Sequence, residues 1–146
     1  MEIDLHTLRK ASHQQAIKAA LMHDYWAIIV SAGEGASISI EAAKRLIEFG
    51  KTVHFVCPKC AMNGEKILGQ EVFSSIDSID SEVEIICMNG NLDIWLTLSE
   101  IGQRMEYFGD VKAVWLGPNL GTVRWAEDAH DYGIAVVMGE NILDVI

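Results

Sequence analysis

The sequence predicts a doubly wound α/β domain: five parallel strands in one sheet, helices on both faces and an extra N-terminal helix. Three observations carry this. Five short apolar runs (Ala27–Val30, Thr52–Cys57, Val83–Met88, Lys112–Leu116 and Ile134–Met138) are nearly continuous rather than alternating, as strands buried on both faces require. Helix-period segments lie between most of them. The first run ends in a turn of small residues, Ser31-Ala32-Gly33-Glu34-Gly35-Ala36-Ser37, and a helical pattern follows. Strand, glycine turn and helix make the opening half of a βαβ unit.

In chain order, Leu5 to His23 reads as a helix, with Leu5, Leu8, Ile17, Ala20 and Leu21 as its stripe and Asp4 favouring its start. It would pack on the sheet or in an oligomer contact. His6, His13 and His23 lack the i, i+4 spacing of a helical metal site. After the first strand, Ile40, Ala43, Leu46 and Ile47 form one helix face, and Gly50 ends it. Thr52–Cys57 is rich in β-branched and aromatic residues. Pro58 ends that strand, and Asn63-Gly64 marks a turn, so a loop is expected there. Ile67–Phe73 reads as an irregular stretch or short strand, and Ser74–Asp80 as a loop or single helical turn. Leu92–Phe108 is a helix with a broad apolar face, closed by Gly109-Asp110. Thr122–Tyr132 is the next helix, with Gly133 as its cap, and Gly139–Ile146 can form a short final one.

At 146 residues the chain is expected to be one domain, 1–146. Its 21 acidic and 11 basic residues give a net charge of −10, which argues against non-specific nucleic-acid binding. No apolar run is long enough to span a bilayer, and the N-terminus lacks the basic and apolar regions of a secretory signal. With three cysteines, an odd count, the expectation is a cytoplasmic protein with reduced thiols.

In open parallel sheets, ligands bind outside the carboxyl ends of the strands, where the strand order reverses. That rule gathers Ser31–Ser37, Cys57–Cys60, Met88–Asn91 and Gly117–Asn119 into one candidate cleft. The glycines admit a ligand close to the backbone, and the helix start offers free N–H groups suited to phosphate. The same turn can also be glycine-rich for steric reasons alone.

From Ala27 onward the chain resembles the small stand-alone CoA-binding domains of Rossmann-like fold, related to the CoA-binding domain of the succinyl-CoA synthetase α subunit. The blocks that carry the resemblance are IIVSAGEGASISIEAAKRLIEFGKTVHFVCPK, GEKILGQEVFSSIDSI and KAVWLGPNLGTVRWAEDAHDYGIAVVMGENI. The helix at about 4–23 lies outside them. The resemblance implies binding of CoA or a CoA-like phosphorylated nucleotide, without catalysis. It implies that Ser31, Ala32, Gly33, Gly35, Ser37 and Ser39 hold a phosphate, that Pro58 and Lys59 match the family's Pro-Lys, and that Lys59 meets another phosphate. Asn89, Gly117 and Pro118 would line the remaining walls. The turn departs from the family in having Ser31 for its first glycine, Glu34 within it, and Ser37-Ile38 where an arginine and proline commonly stand; the family's late cysteine is absent.

Cys57-Pro58-Lys59-Cys60 is a C-x-x-C with three open readings. Zinc would need further ligands, which only Cys87 and His54 could supply. A redox pair would need a helix after the strand, where a loop is expected. In the third reading Cys57 ends a buried strand and Cys60 is incidental. Trp125, beside Arg124, is expected to be exposed and to mark a homodimer surface. No nucleophile–base–acid set or metal motif can be assembled. Two further functions stay open: a small oxidoreductase using a dinucleotide or the Cys57/Cys60 pair, and an interaction module without a ligand.

Overall fold

The computed structural model describes residues 5–31, 34–90 and 93–146, with side chains described from Ser12 onward except those of residues 34 and 35. The expectations for Asp4, Ala32, Gly33, Asn91 and Leu92, and for the side chains of Leu5, His6 and Leu8, lie outside it.

The elements run α1 (Leu5–Leu21), β1 (Tyr25–Ile29), α2 (Glu34–Glu48), β2 (Thr52–Val56), α3 (Pro58–Met62), β3 (Val72–Phe73), β4 (Ile85–Met88), α4 (Ile94–Tyr107), β5 (Ala113–Leu116), α5 (Val123–Asp131) and β6 (Ala135–Met138). Short 3-10 turns stand at Ile76–Ser78 and Ile142–Asp144. The strands form one parallel sheet in the order β3-β2-β1-β4-β5-β6. The sheet therefore has six strands, not five. The additional one is β3, whose two residues pair with Phe55 and Val56 of β2.

Side chains alternate across the sheet because the strand period is two. Trp26, Ile28 and Val30 of the first strand segment point to one core, with Phe55, Cys57, Ile85, Cys87 and Trp115. Ala27 and Ile29 point to the other, with Val56, Ile86, Met88, Val114 and Leu116. The first face is covered by α1 through Ile17 and Ala20, by α2 through Ala42, Ala43 and Leu46, and by the C-terminal 3-10 turn. The second is covered by α4 through Leu98 and Ile101, and by α5 through Trp125 and Ala129. Packing of α1 on the sheet is thus observed.

Three local expectations change. A helix does follow β2: Pro58 opens α3, and the Cys57 sulfur caps it by accepting the Cys60 N–H at 3.3 Å. Proline suits a first helical position, where its missing N–H has no intrahelical partner to lose. Helix α2 begins at Glu34, so Gly35 and Ser37 stand in its first turns rather than in the loop before it. Ser74–Asp80 keeps the single helical turn expected of it, as a 3-10 turn at Ile76–Ser78. Trp125 is fully buried, and its indole N–H donates to the Ile94 carbonyl at 2.8 Å. It therefore cannot mark an exposed surface; Trp95, on α4, is the half-exposed tryptophan.

Arg104 is a charged side chain with no exposure at all, deep in α4. Its guanidinium donates to the carbonyls of Ile76, Ile79 and Ser81 at 2.6–2.9 Å, and to both carboxylate oxygens of Asp110 at 3.1 and 2.8 Å. Asp110 in turn accepts the Val83 N–H at 2.8 Å. One cation thus fixes the segment leading into β4.

Two predictions follow from these contacts. Removing one partner of a buried ion pair leaves the other charge unpaired, at a cost of about 3–5 kcal/mol. Arg104→Ala should lower the unfolding free energy by that amount in urea titration; a loss under about 1 kcal/mol would show that the network does not bear on stability. His54, on β2, is half-buried and its Nε2 lies 2.9 Å from the Ser81 hydroxyl. Burial, with the nearby Arg104 charge, pushes its pKa below the ordinary 6.5, and Asp80 opposes this weakly. The folded state thus disfavours the imidazolium, so its stabilising effect is complete above pH 6.5 and is lost as pH falls toward the folded pKa. The urea midpoint should decline through that window more steeply in the native protein than in His54→Gln, and parallel curves would refute this.

Candidate ligand-binding site

The crossover through α2 carries the chain from β1 to β2, and the later strands return to the opposite side of β1. The loops after β1 and β4 therefore diverge, which opens a crevice at the carboxyl edge of the sheet. Among the described residues, two hollows along this edge adjoin the predicted loops. The larger, about 590 Å³, lies between the end of β1, the start of α2 and the residues after β2. Its walls are Val30, Ser31, Ala36 and Ile40 on one side, with Cys57, Pro58, Lys59, Cys60, Glu65 and Ile67 on the other. Exposed Lys59 and Glu65 put one charge of each sign on this wall. The smaller hollow, about 330 Å³, lies among Gly90, Pro118, Asn119 and Leu120, after β4 and β5.

A polar seam joins the two. The Ser31 hydroxyl donates to the Asn89 carbonyl at 3.0 Å. The buried Asn89 side-chain amide donates to the Ser39 hydroxyl at 3.4 Å and to the Cys87 sulfur at 3.5 Å. Its Oδ1 is buried and has no hydrogen-bond partner among the described residues. Ser39 is fully buried on the inner side of α2, so it supports the seam from beneath and its hydroxyl is not open to the cleft. Burial pushes the Cys87 thiol up to about 12, against a small opposing effect of Asn89, so it is no nucleophile.

The structure thus brings Ser31, Pro58 and Lys59 to the larger hollow, Pro118 to the smaller one, and Asn89, Ser39 and Gly117 to the seam. Ser37 is exposed on α2 and does not line either hollow, whereas Ala36 beside it does. Ala32 and Gly33 lie outside the described residues, and of Gly35 only its place in α2 is given. The sequence reading missed Ile40, Glu65 and Ile67 as wall residues. Ile67 arrives there through a tight turn in which Ile67 and Gln70 exchange backbone hydrogen bonds at 3.1 and 2.9 Å. Leu68 and Gly69 between them both have positive φ, 50° and 76°. This gives the ILG of the second resemblance block a role, since left-handed geometry favours glycine. Among the described residues, no group of three or more His, Cys, Asp or Glu side chains is placed to hold a metal ion.

Cys57 and Cys60 are joined by a disulfide. Cys60 is therefore not incidental, and the pair does have a helix directly after its strand. Cys87 stays a free, buried thiol.

Gly117 fits so closely that a Cβ there would lie 2.5 Å from Asn89 Oδ1. Gly117→Ala should cost about 1–3 kcal/mol in urea unfolding, because the buried amide must turn away from its partners. The cost should fall when Asn89→Ala is present as well; equal costs in both backgrounds would mean that the clash is absorbed elsewhere.

No protein-family model matches the chain, and no curated protein matches it. Solved structures do. The chain is similar to Prb, the PH1109 protein redesigned for binding, with a TM-score of 0.73 at 18% identity, over 90% of this chain and 87% of that one. A hypothetical protein from Pyrococcus horikoshii OT3 matches with a TM-score of 0.70 at 21% identity, over 89% and 87%. The cell-free ID.343 protein from Thermus thermophilus matches with a TM-score of 0.72 at 20% identity, over 89% and 93%. At these identities the likeness establishes a shared α/β fold with a parallel sheet.

Proposed function

We propose that this protein binds CoA, or a CoA-like phosphorylated nucleotide, on a Rossmann-like sheet and is a binding module rather than an enzyme. The observation that carries the reading is the 590 Å³ cleft at the carboxyl ends of β1 and β2, walled by the start of α2 and by Lys59. The strand order 3-2-1-4-5-6 is that of dinucleotide-binding sheets, in which ligands sit at the reversal of strand order. A mainly apolar wall suits a base or a pantetheine-like chain, and the amino end of the 15-residue helix α2 suits a phosphate. The Ser31–Asn89 hydrogen bond stands between the two hollows, so an elongated ligand reaching from one to the other would meet it. A ribose-binding dinucleotide site would carry an acidic residue at the end of the second strand; Cys57-Pro58-Lys59 stands there instead. The sequence blocks that resemble the CoA-binding domains point the same way.

A ligand that binds only the native state raises the melting midpoint with its concentration. Titration with CoA, acetyl-CoA, NAD and NADP should give a saturable shift with the CoA compounds alone. Lys59→Ala should weaken CoA by about tenfold, one charge-assisted hydrogen bond. A shift with NAD only would assign a dinucleotide, and no shift with any of the four would leave an interaction module.

A further inference from the structure

The cysteine pair stands in the wall of the larger cleft, and its two sulfurs differ in their surroundings. Cys57 is 8% exposed and belongs to the core on the α2 side of the sheet. Cys60 is half-buried on α3, at the edge of the same core. Both line the cleft. The Cys57 sulfur accepts the Cys60 backbone N–H at 3.3 Å, a contact that favours negative charge on that sulfur. Thiol–disulfide exchange needs a reachable sulfur to attack and a leaving sulfur that can carry charge. The pair offers the first at Cys60 and the second at Cys57.

We propose that Cys57–Cys60 is a redox-active pair that exchanges with small thiols entering the cleft, with Cys60 as the sulfur attacked. The thiolate of a small thiol bonds to the Cys60 sulfur, the Cys57–Cys60 bond breaks, and its electron pair leaves on Cys57. The Cys57 thiolate is held by the Cys60 N–H and then takes a proton from water. A second thiolate attacks the small thiol's sulfur in the mixed disulfide and releases the Cys60 thiolate, which is protonated in turn. The balance is two small thiols oxidised to their disulfide and one protein disulfide reduced to two thiols. The reverse sequence, starting from the small disulfide, re-forms the pair. Cys87 takes no part, being buried beneath Asn89. The inference rests on the placement of the two sulfurs and not on the nucleotide reading, so either can fail alone.

The probe is glutathione, reduced or as its disulfide. The oxidised protein is treated with reduced glutathione under native conditions, quenched in acid and mapped by peptide mass spectrometry. In parallel, Cys57→Ser and Cys60→Ser are treated with glutathione disulfide. Serine at 57 keeps a capping side chain, so α3 is retained. The expected result is a glutathione adduct on Cys60 in the native protein and in Cys57→Ser, formed at least about tenfold faster than any adduct on Cys57 in Cys60→Ser. Reduction should also outrun global unfolding, measured on the same sample. Equal rates at the two cysteines, a preference for Cys57, or exchange no faster than unfolding would each overturn the proposal. Because the native protein is read directly, a variant that fails to fold leaves the test intact.

Discussion

A parallel sheet has no face that can be left in water. Every strand here is joined to its neighbour in the same direction, so each connection must cross over a face, and each face must then be covered. The crossovers keep one hand, so the side on which a helix lies is decided by the direction in which the chain moves along the sheet. Moving outward from β1 to β2 places α2 on one face; returning to β4 and β5 places α4 and α5 on the other. The crevice is the place where these two directions part. It is a consequence of covering the sheet, and the chemistry at the loops makes use of it.

The second face has an unusual support. Helix α4 would be an ordinary amphipathic element but for Arg104, whose charge is held wholly inside by five hydrogen bonds. Three of the acceptors are carbonyls of the irregular segment between β3 and β4, which has little regular structure to satisfy them. The arginine thus does for that segment what a neighbouring strand does for a strand. Its position decides where β4 begins, and so where Met88 and Asn89 come to stand at the crevice.

Much of this was legible in the chain. The five long strands announced themselves because continuous apolar runs of this length suit strands with two buried faces. The sixth was left out of the sheet: Val72 and Phe73 fall in the stretch read as irregular or a short strand, and two half-buried residues leave no pattern that pairs them with β2. Helix α3 was hidden by Pro58, taken as a stop when it also suits a start. Trp125 was misread through its neighbour Arg124, although Ala129 four residues on shares its buried face. Arg104 could not have been found: a cation among Leu98, Ile101 and Met105 looks like the polar edge of a helix until its carbonyl partners, more than twenty residues away, are brought to it. The sheet rule gathered the loops into one cleft, where the described residues form two hollows joined by a seam, and Ile67 needed a turn with two left-handed residues to reach the wall.

The hydroxyl of Ser31 belongs to the wall of one hollow, and the carbonyl it bonds belongs to the loop that leads to the other. An occupant that claims the Ser31 hydroxyl releases the Asn89 carbonyl, and one that draws Asn89 away releases Ser31. The two ends of the crevice therefore share this bond, and occupants that compete for it are linked through it. Whatever free energy this exchange carries is the same in either direction, so each end senses the other by equal amounts.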